Sequence, residues 1–235
     1  MADFKYKRVV LKLSGEALAG KNGESFDIAL MDEISNEISK LISGGVEVAV
    51  VIGGGNIIRG ASQEWMNREN ADYMGMTATV INSMALAEVL RKNNLKAKVF
   101  SAIPMELVCE TYNPSVADEY LKRGEVVILG GGTGKPYVTT DTTSTLRAKE
   151  LNCECVLKAT KVDGVYDDDP VKNPDAKRFD KISFDDCLNR GLKVMDEKAF
   201  KMAKDENIHI IVFNMFEKDN IVKVLQGEDV GTVVS

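Results

Sequence analysis

The chain has 235 residues, 44% of them hydrophobic, with 36 acidic against 30 basic side chains and a net charge of −6. That length and apolar content suit one large domain, or two tightly joined lobes, with a substantial core. The acidic balance argues against nucleic acid or an anionic membrane as a partner, because nonspecific binding of either needs a basic footprint. A small anionic ligand stays open, since a few lysines and backbone N–H groups can override the global sign locally.

The N-terminal stretch MADFKYKRVVLKLSG passes from a polar start directly into a short strand, without the apolar run of a signal peptide. No apolar run approaches the roughly 20 residues that cross a bilayer, so a cytoplasmic location is expected. Seven β-rich runs follow in order: VVLKL (9–13), VEVAVVI (46–52), AKVF (97–100), VVIL (126–129), CVLK (155–158), HIIVF (209–213) and TVV (232–234). Most are continuous rather than alternating, the mark of strands covered on both faces in a mainly parallel sheet. Between them lie helical patterns. Ile28, Met31, Ile34, Ile38, Leu41 and Ile42 keep i, i+3, i+4 spacing and end at Gly44-Gly45. Residues 73–92 form a long Met-, Ala- and Leu-rich helix read as packed core, with shorter helices over 114–122 and 142–150. Strands alternating with helices predict an α/β fold, a three-layer α/β/α sandwich around a mainly parallel sheet, built as one domain over 1–235.

Cys153 and Cys155 form a C-x-C without a second pair or a nearby histidine, so buried thiols are expected rather than zinc, and no protein-held metal site is predicted. His209, the one histidine, sits in a strand pattern and reads as structural, which argues against a histidine-based triad.

In open α/β sheets, ligands bind at the carboxyl ends of strands. Three glycine loops fall at such ends: KLSGEAL (12–18), GGGNIIRG (53–60) and GGGTGKPYVTTD (130–141). The last is not a P-loop: Leu129 stands where that motif needs its first glycine, and Pro136 where it needs Ser or Thr. Three such loops, with Lys12, Arg59 and Lys135 in or beside them, predict phosphate binding. A helix starting near Asn56 would add free N–H groups. Lys12 lies between Leu11 and Leu13 and needs either an outward face or a partner. Beside Ser14 and Gly15 it reads as a cation aimed at a transferring phosphoryl group. Asp141 reads as an N-cap of the following helix, as a carboxylate orienting a lysine or Mg²⁺, or as both. In KATKVDGVYDDDP (158–170), Tyr166 either stacks on a purine or packs, and Asp167, Asp168 and Asp169 read as a capped loop or a Mg²⁺ contact.

Assembled, KLSGEAL, GGGNIIRG, DYMGMT (72–77), GGGTGKPYVTTD, KATKVDGVYDDDP, VMDEKAF and VFNM resemble the bacterial UMP kinases of the amino acid kinase family, over essentially the whole chain. The resemblance implies transfer of a phosphoryl group from ATP, with Mg²⁺, to UMP in pyrimidine nucleotide biosynthesis. The amino-terminal part would be mainly UMP-binding and the carboxyl-terminal part mainly ATP-binding. It implies ATP contacts at Lys12, Leu13, Ser14, Gly15, Gly55, Arg59, Thr160, Tyr166 and Asp169. UMP contacts would fall at Gly54, Asp72, Thr133, Gly134, Lys135, Pro136, Tyr137, Val138, Thr139 and Thr140. Lys12 and Asp141 would be catalytic, with a second lysine, Lys158 or Lys161, left open. It further implies a homohexamer, inhibition by UTP, and GTP activation through Gly20, Lys21, Asn22, Gly23, Glu24 and Ser25. Two other readings stand beside it: a kinase for a carboxylate or carbamate acceptor, and a nucleotide sensor without catalysis.

Overall fold

The computed structural model describes residues 4–20, 24–58, 65–170, 172–192 and 194–235. Lys21, Asn22, Gly23 and Arg59 lie outside the described residues.

The seven sequence-predicted strands all form, each shifted by at most two residues at an end. They are β1 (Arg8–Leu13), β2 (Glu47–Ile52), β3 (Ala97–Ser101), β5 (Val126–Gly130), β6 (Cys155–Thr160), β10 (His209–Asn214) and β11 (Gly231–Val234). Four two-residue strands lack the length to leave a pattern: β4 (Glu110–Thr111), β7 (Val165–Tyr166), β8 (Arg178–Phe179) and β9 (Lys181–Ile182). Nine of these eleven strands join one sheet in the order β4-β3-β5-β2-β1-β6-β10-β11-β9. Every neighbouring pair is parallel except β10 with β11. β7 and β8 form a separate antiparallel ribbon.

Helices cover both faces, which is why the central strands are apolar without alternation. On one face α1 (Ile28–Ser43), α2 (Arg68–Lys92) and α7 (Asn220–Gln226) pack Ile34, Ile38, Leu86, Leu90 and Leu225 onto Val9, Leu11, Val50 and Leu157. On the other, α3 (Pro114–Lys122), α4 (Thr140–Glu150), α5 (Phe184–Asn189) and α6 (Glu197–Asp205) pack Leu121, Ala148, Phe184 and Phe200 onto Val10, Val51, Leu129 and Val156. Each fully buried Leu, Ile, Val or Phe contributes roughly 1.5–3 kcal/mol. The result is the expected three-layer sandwich. No helix among the described residues is long and apolar enough to cross a membrane.

Three local expectations are corrected. α2 begins at Arg68 rather than Tyr73, because Asn67 caps it by accepting the Asn70 N–H at 2.9 Å. The polar run from Arg68 to Asp72 carries no apolar periodicity, so pattern alone starts the helix late. α4 begins at Thr140, with Thr139 capping the Thr142 N–H at 3.0 Å; Asp141 is thus a first-turn residue and not the cap. Residues 55–57 make a turn, with the N–H groups of Ile57 and Ile58 both on the Gly54 carbonyl at 3.0 Å, rather than opening a helix at Asn56.

His209 opens β10 and shares a 2.8 Å hydrogen bond with the Tyr6 hydroxyl. Burial pushes the Cys153 thiol up to about 12, so it stays protonated at neutral pH.

Candidate active site

Strand order places the site. β1 pairs with β2 on one side and β6 on the other. From β1 the chain goes to β2, out to β3 and β4, and back to β5 between β2 and β3, then crosses over α4 to enter as β6 on the opposite side of β1. The sheet order reverses there, and a crevice opens at the carboxyl ends of the strands.

Alternation along the strands decides which side chains enter it. Lys12 shares the face of Val10, and Lys158 the face of Val156, the face that α4 covers. The two lysines stand directly opposite each other in the β1–β6 register. Asp141, on the first turn of α4, sits between them. Its Oδ2 accepts from Lys158 Nζ at 2.7 Å, and its Oδ1 lies 3.1 Å from Lys12 Nζ. The three side chains are 12%, 18% and 13% exposed for Lys12, Asp141 and Lys158. Lys158 also donates to the Val194 carbonyl. Lys158 is held below the ordinary lysine range, first by burial; Asp141 opposes that shift and the Lys12 charge adds to it. Lys161, the other candidate, is exposed. Two cations around one carboxylate leave a net positive centre, suited to charge developing on a transferring phosphoryl group.

The first two glycine loops flank this centre. Gly53 donates to the Leu13 carbonyl at 3.0 Å, which ties the loop after β2 to the end of β1. A Cβ at Gly15 would fall 2.3 Å from the Gly53 carbonyl oxygen, and one at Gly54 would fall 2.6 Å from that of Gly75, so both positions require glycine. Leu13 is fully buried in the core, with its carbonyl taken by the Gly53 N–H.

The third loop is held from three distant places. Gly131 donates to Thr79 Oγ1 at 2.8 Å, Arg147 Nη2 donates to the Gly132 carbonyl at 2.8 Å, and Tyr137 N–H donates to Asp72 Oδ2 at 2.8 Å. Gly131, Gly132, Gly134 and Tyr137 all take positive φ. Asp72 also accepts from Arg68 Nε at 2.9 Å. Asp72 and residues 133–140 are thus brought together, with Lys135 exposed at the loop tip. The Thr139 hydroxyl is engaged, donating to Asp196 while it caps α4.

On the β6 side, Thr160, Tyr166 and Asp169 line one cavity of about 590 Å³ together with Lys158. The Tyr166 hydroxyl donates to Asp163 at 2.6 Å. Asp167 accepts the Lys177 N–H at 2.7 Å and Asp168 the Asp169 N–H at 2.8 Å, so these two carboxylates cap their own loop. Among the described residues no three metal-ligating side chains converge.

Sequence reading missed several contributors. Arg147, 6% exposed, pairs with Glu150 and lies 4.0 Å over the Tyr112 ring while it holds Gly132. Its i, i+3 spacing to Glu150 looks like an ordinary surface pair. Asp196 accepts from Thr142 Oγ1 at 2.8 Å and from Ala199 N–H at 3.0 Å, capping α6 and locking it to α4. Burial would raise its carboxyl, but the hydrogen bonds from Thr139, Ala199 and Thr142 win and hold it below the usual range.

A glycine-lined, lysine-bearing crevice at the switch point of a parallel sheet defines a class of phosphotransferase fold. The sequence profile of the amino acid kinase family matches residues 7–214, and the chain belongs to that family. Within it, the chain is 48% identical over 232 residues to the uridylate kinase of Photobacterium profundum, covering 98% of this chain and 97% of that one. The crystal structure of UMP kinase from Bacillus anthracis superposes with a TM-score of 0.94 at 42% identity, over 98% of this chain and 96% of that one. UMP kinase from Ureaplasma parvum gives 0.94 at 35% identity, over 98% and 99%.

Proposed function

We propose that the chain is a UMP kinase, transferring the γ-phosphoryl group of MgATP to UMP to give UDP and ADP. The observation that carries this is the Lys12–Asp141–Lys158 array, set at the junction between a loop locked to Asp72 and a cavity lined by Thr160, Tyr166 and Asp169. A phosphate oxygen of UMP attacks the γ-phosphorus; the new P–O bond forms as the bond to the bridging β,γ-oxygen breaks, and ADP leaves with that electron pair. The acceptor has a second pKa of about 6 and is largely ionised at neutral pH, so no general base is required. The obstacle is repulsion between two anions. Lys12, Lys158 and the loop N–H groups offset it, and Asp141 keeps the two ammonium groups apart and oriented.

Mg²⁺ enters as part of the nucleotide substrate. The Asp141 carboxylate already lies between two ammonium groups, which disfavours a resident cation there. UMP is assigned to Gly54, Asp72 and residues 133–140, and ATP to residues 12–15, Gly55, Thr160, Tyr166 and Asp169, in an enzyme of the cytoplasm.

Regulation and assembly belong to the same reading. GTP activation is assigned to residues 20–25, supported by the Asn56 side chain donating to the Ser25 carbonyl at 2.9 Å, which links that segment to the second glycine loop. A homohexamer inhibited by UTP is supported by exposed Tyr73, Ile81 and Met84 on α2, an apolar stripe suited to a second copy. The decisive assay is ADP release with UMP, acetylglutamate and carbamate, each with MgATP and with or without GTP. Release with UMP is expected. Turnover confined to a carboxylate acceptor, or nucleotide binding without ADP, would overturn the reading.

A further inference from the structure

α2 is rich in Met, Ala and Leu, yet at its middle it buries Asn82 completely. A buried amide needs all its partners, and Asn82 has found them on one loop. Its Nδ2 donates to the Gly53 carbonyl at 2.7 Å and to Asn56 Oδ1 at 2.7 Å. Asn56 Nδ2 returns a bond to Asn82 Oδ1 at 3.1 Å and donates to the Ser25 carbonyl at 2.9 Å. The two amides are thus reciprocally paired across the base of the second glycine loop, anchored to the rigid helix at one end and to residue 25 at the other.

The consequence lies in the peptide plane. A trans peptide is flat, so its C=O and the following N–H point opposite ways. By holding the Gly53 carbonyl, Asn82 turns the Gly54 N–H away from itself. The N–H groups of Gly54 and Gly55 have no protein acceptor among the described residues. The Gly54–Gly55 peptide is held within the loop, its carbonyl accepting from the Ile57 and Ile58 N–H groups at 3.0 Å, but with no Cβ on the glycines nothing in the loop itself fixes the Gly53–Gly54 peptide against rotation. The restraint has to come from outside, and the amide pair supplies it.

We infer that Asn82 is a positioning residue for phosphoryl transfer: acting through the Gly53 peptide and Asn56, it presents the Gly54 N–H group to the phosphates that the crevice holds. The inference rests on the kinase reading above. It also sets this loop apart from the third glycine loop. The loop at 130–140 is tied to Asp72, Thr79 and Arg147 and has no bond to Asn82.

The test is kinetic and uses the full-length protein. Asn82→Leu keeps the branched heavy-atom skeleton and removes both N–H donors and the Oδ1 acceptor. In folded protein, kcat with UMP and MgATP is expected to fall by roughly 100-fold, as misplaced groups far from the chemistry can cause. Thermal unfolding run in parallel fixes the folded fraction. Affinity for UMP, to which Gly54 is assigned, should fall about tenfold by calorimetry, the loss of one hydrogen bond, whereas a non-hydrolysable ATP analogue should bind within about twofold of the parent. Asn56→Ala removes the pair from the solvent side without touching the helix core. It should show a smaller loss of the same kind, and the double variant should be no worse than Asn82→Leu alone, because both act through one peptide. Folded Asn82→Leu with parental kcat, equal weakening of both ligands, or additive losses would overturn the inference. If Asn82→Leu fails to fold, parental kinetics in Asn56→Ala would overturn it alone. The parent protein in the same assay separates the two claims: no UDP from the parent defeats the kinase reading, and normal UDP from a folded variant defeats only this one.

Discussion

The two sides of the crevice are built differently. The loop at 130–141 is fixed by side chains of packed helices: Thr79 and Asp72 of α2, more than 50 positions away, and the buried Arg147 of α4. The rim at 160–177 is held mainly by short-range bonds, Thr160 to Val162, Tyr166 to Asp163, Asp168 to Asn173 and Asp167 to Lys177, with outside ties from Thr160 to Met215 and from Val165 to Thr232. Long-range bonds to packed helices hold a loop in one shape, because distorting it disturbs a core that does not deform continuously. Local turn bonds sit at the low end of local stability and let a rim adapt. The proposed acceptor side is therefore the rigid template, and the proposed donor side the adjustable one. Between them the lysine–carboxylate–lysine array belongs to both.

The largest effect should come from that shared array. Lys158→Ala is expected to lower kcat by roughly 100- to 1000-fold, with circular dichroism unchanged; near-normal turnover would return the role to Lys161 or remove it. Its pH dependence sharpens the point. Lys158 is held below the ordinary lysine range, so the rate should fall on the alkaline side as pH rises through that lowered value and the charge is lost. Lys158→Arg, though slower, should lose that limb, because a guanidinium does not titrate there. A limb that persists in the arginine variant belongs to another group.

On the template side, Arg147→Met leaves Glu150 without its buried partner and frees the Gly132 carbonyl. A loss of about 3 kcal/mol in urea unfolding is expected, together with a raised KM for UMP. Loss of stability alone, with KM unchanged, would mean that the rigid template has no bearing on the acceptor. Asp72→Asn weakens a charge-assisted bond to the Tyr137 N–H and should raise the KM for UMP about tenfold while sparing ATP. An effect confined to ATP would exchange the two sides. The smallest change is expected on the rim: Tyr166→Phe removes one local bond and should move the KM for ATP by no more than about threefold. A larger shift there would erase the contrast between the two sides.

Much of the fold was legible because its signals are local. Continuous apolar runs bounded by glycine loops mark strands covered on both faces, and all seven formed where predicted. Lys12, flanked by Leu11 and Leu13, could be singled out because a lysine in such a strand needs a partner. The same logic stopped at Asn82, hidden among methionines and alanines whose periodicity already accounted for the helix. Arg147 gave no signal because an Arg–Glu pair three residues apart looks the same on an exposed face as on a buried one.

From sequence alone came the parallel α/β class, the three glycine loops at strand ends, and the candidacy of Lys12 and Asp141, since each rests on residues within a dozen positions of one another. Only the tertiary structure set Lys158, and not the exposed Lys161, beside Lys12 and Asp141. Strand alternation says which residues share a face, but it does not say which strand will lie alongside. That follows from the return of α4 across the sheet, which sets β6 beside β1 and brings residues nearly 150 positions apart into register.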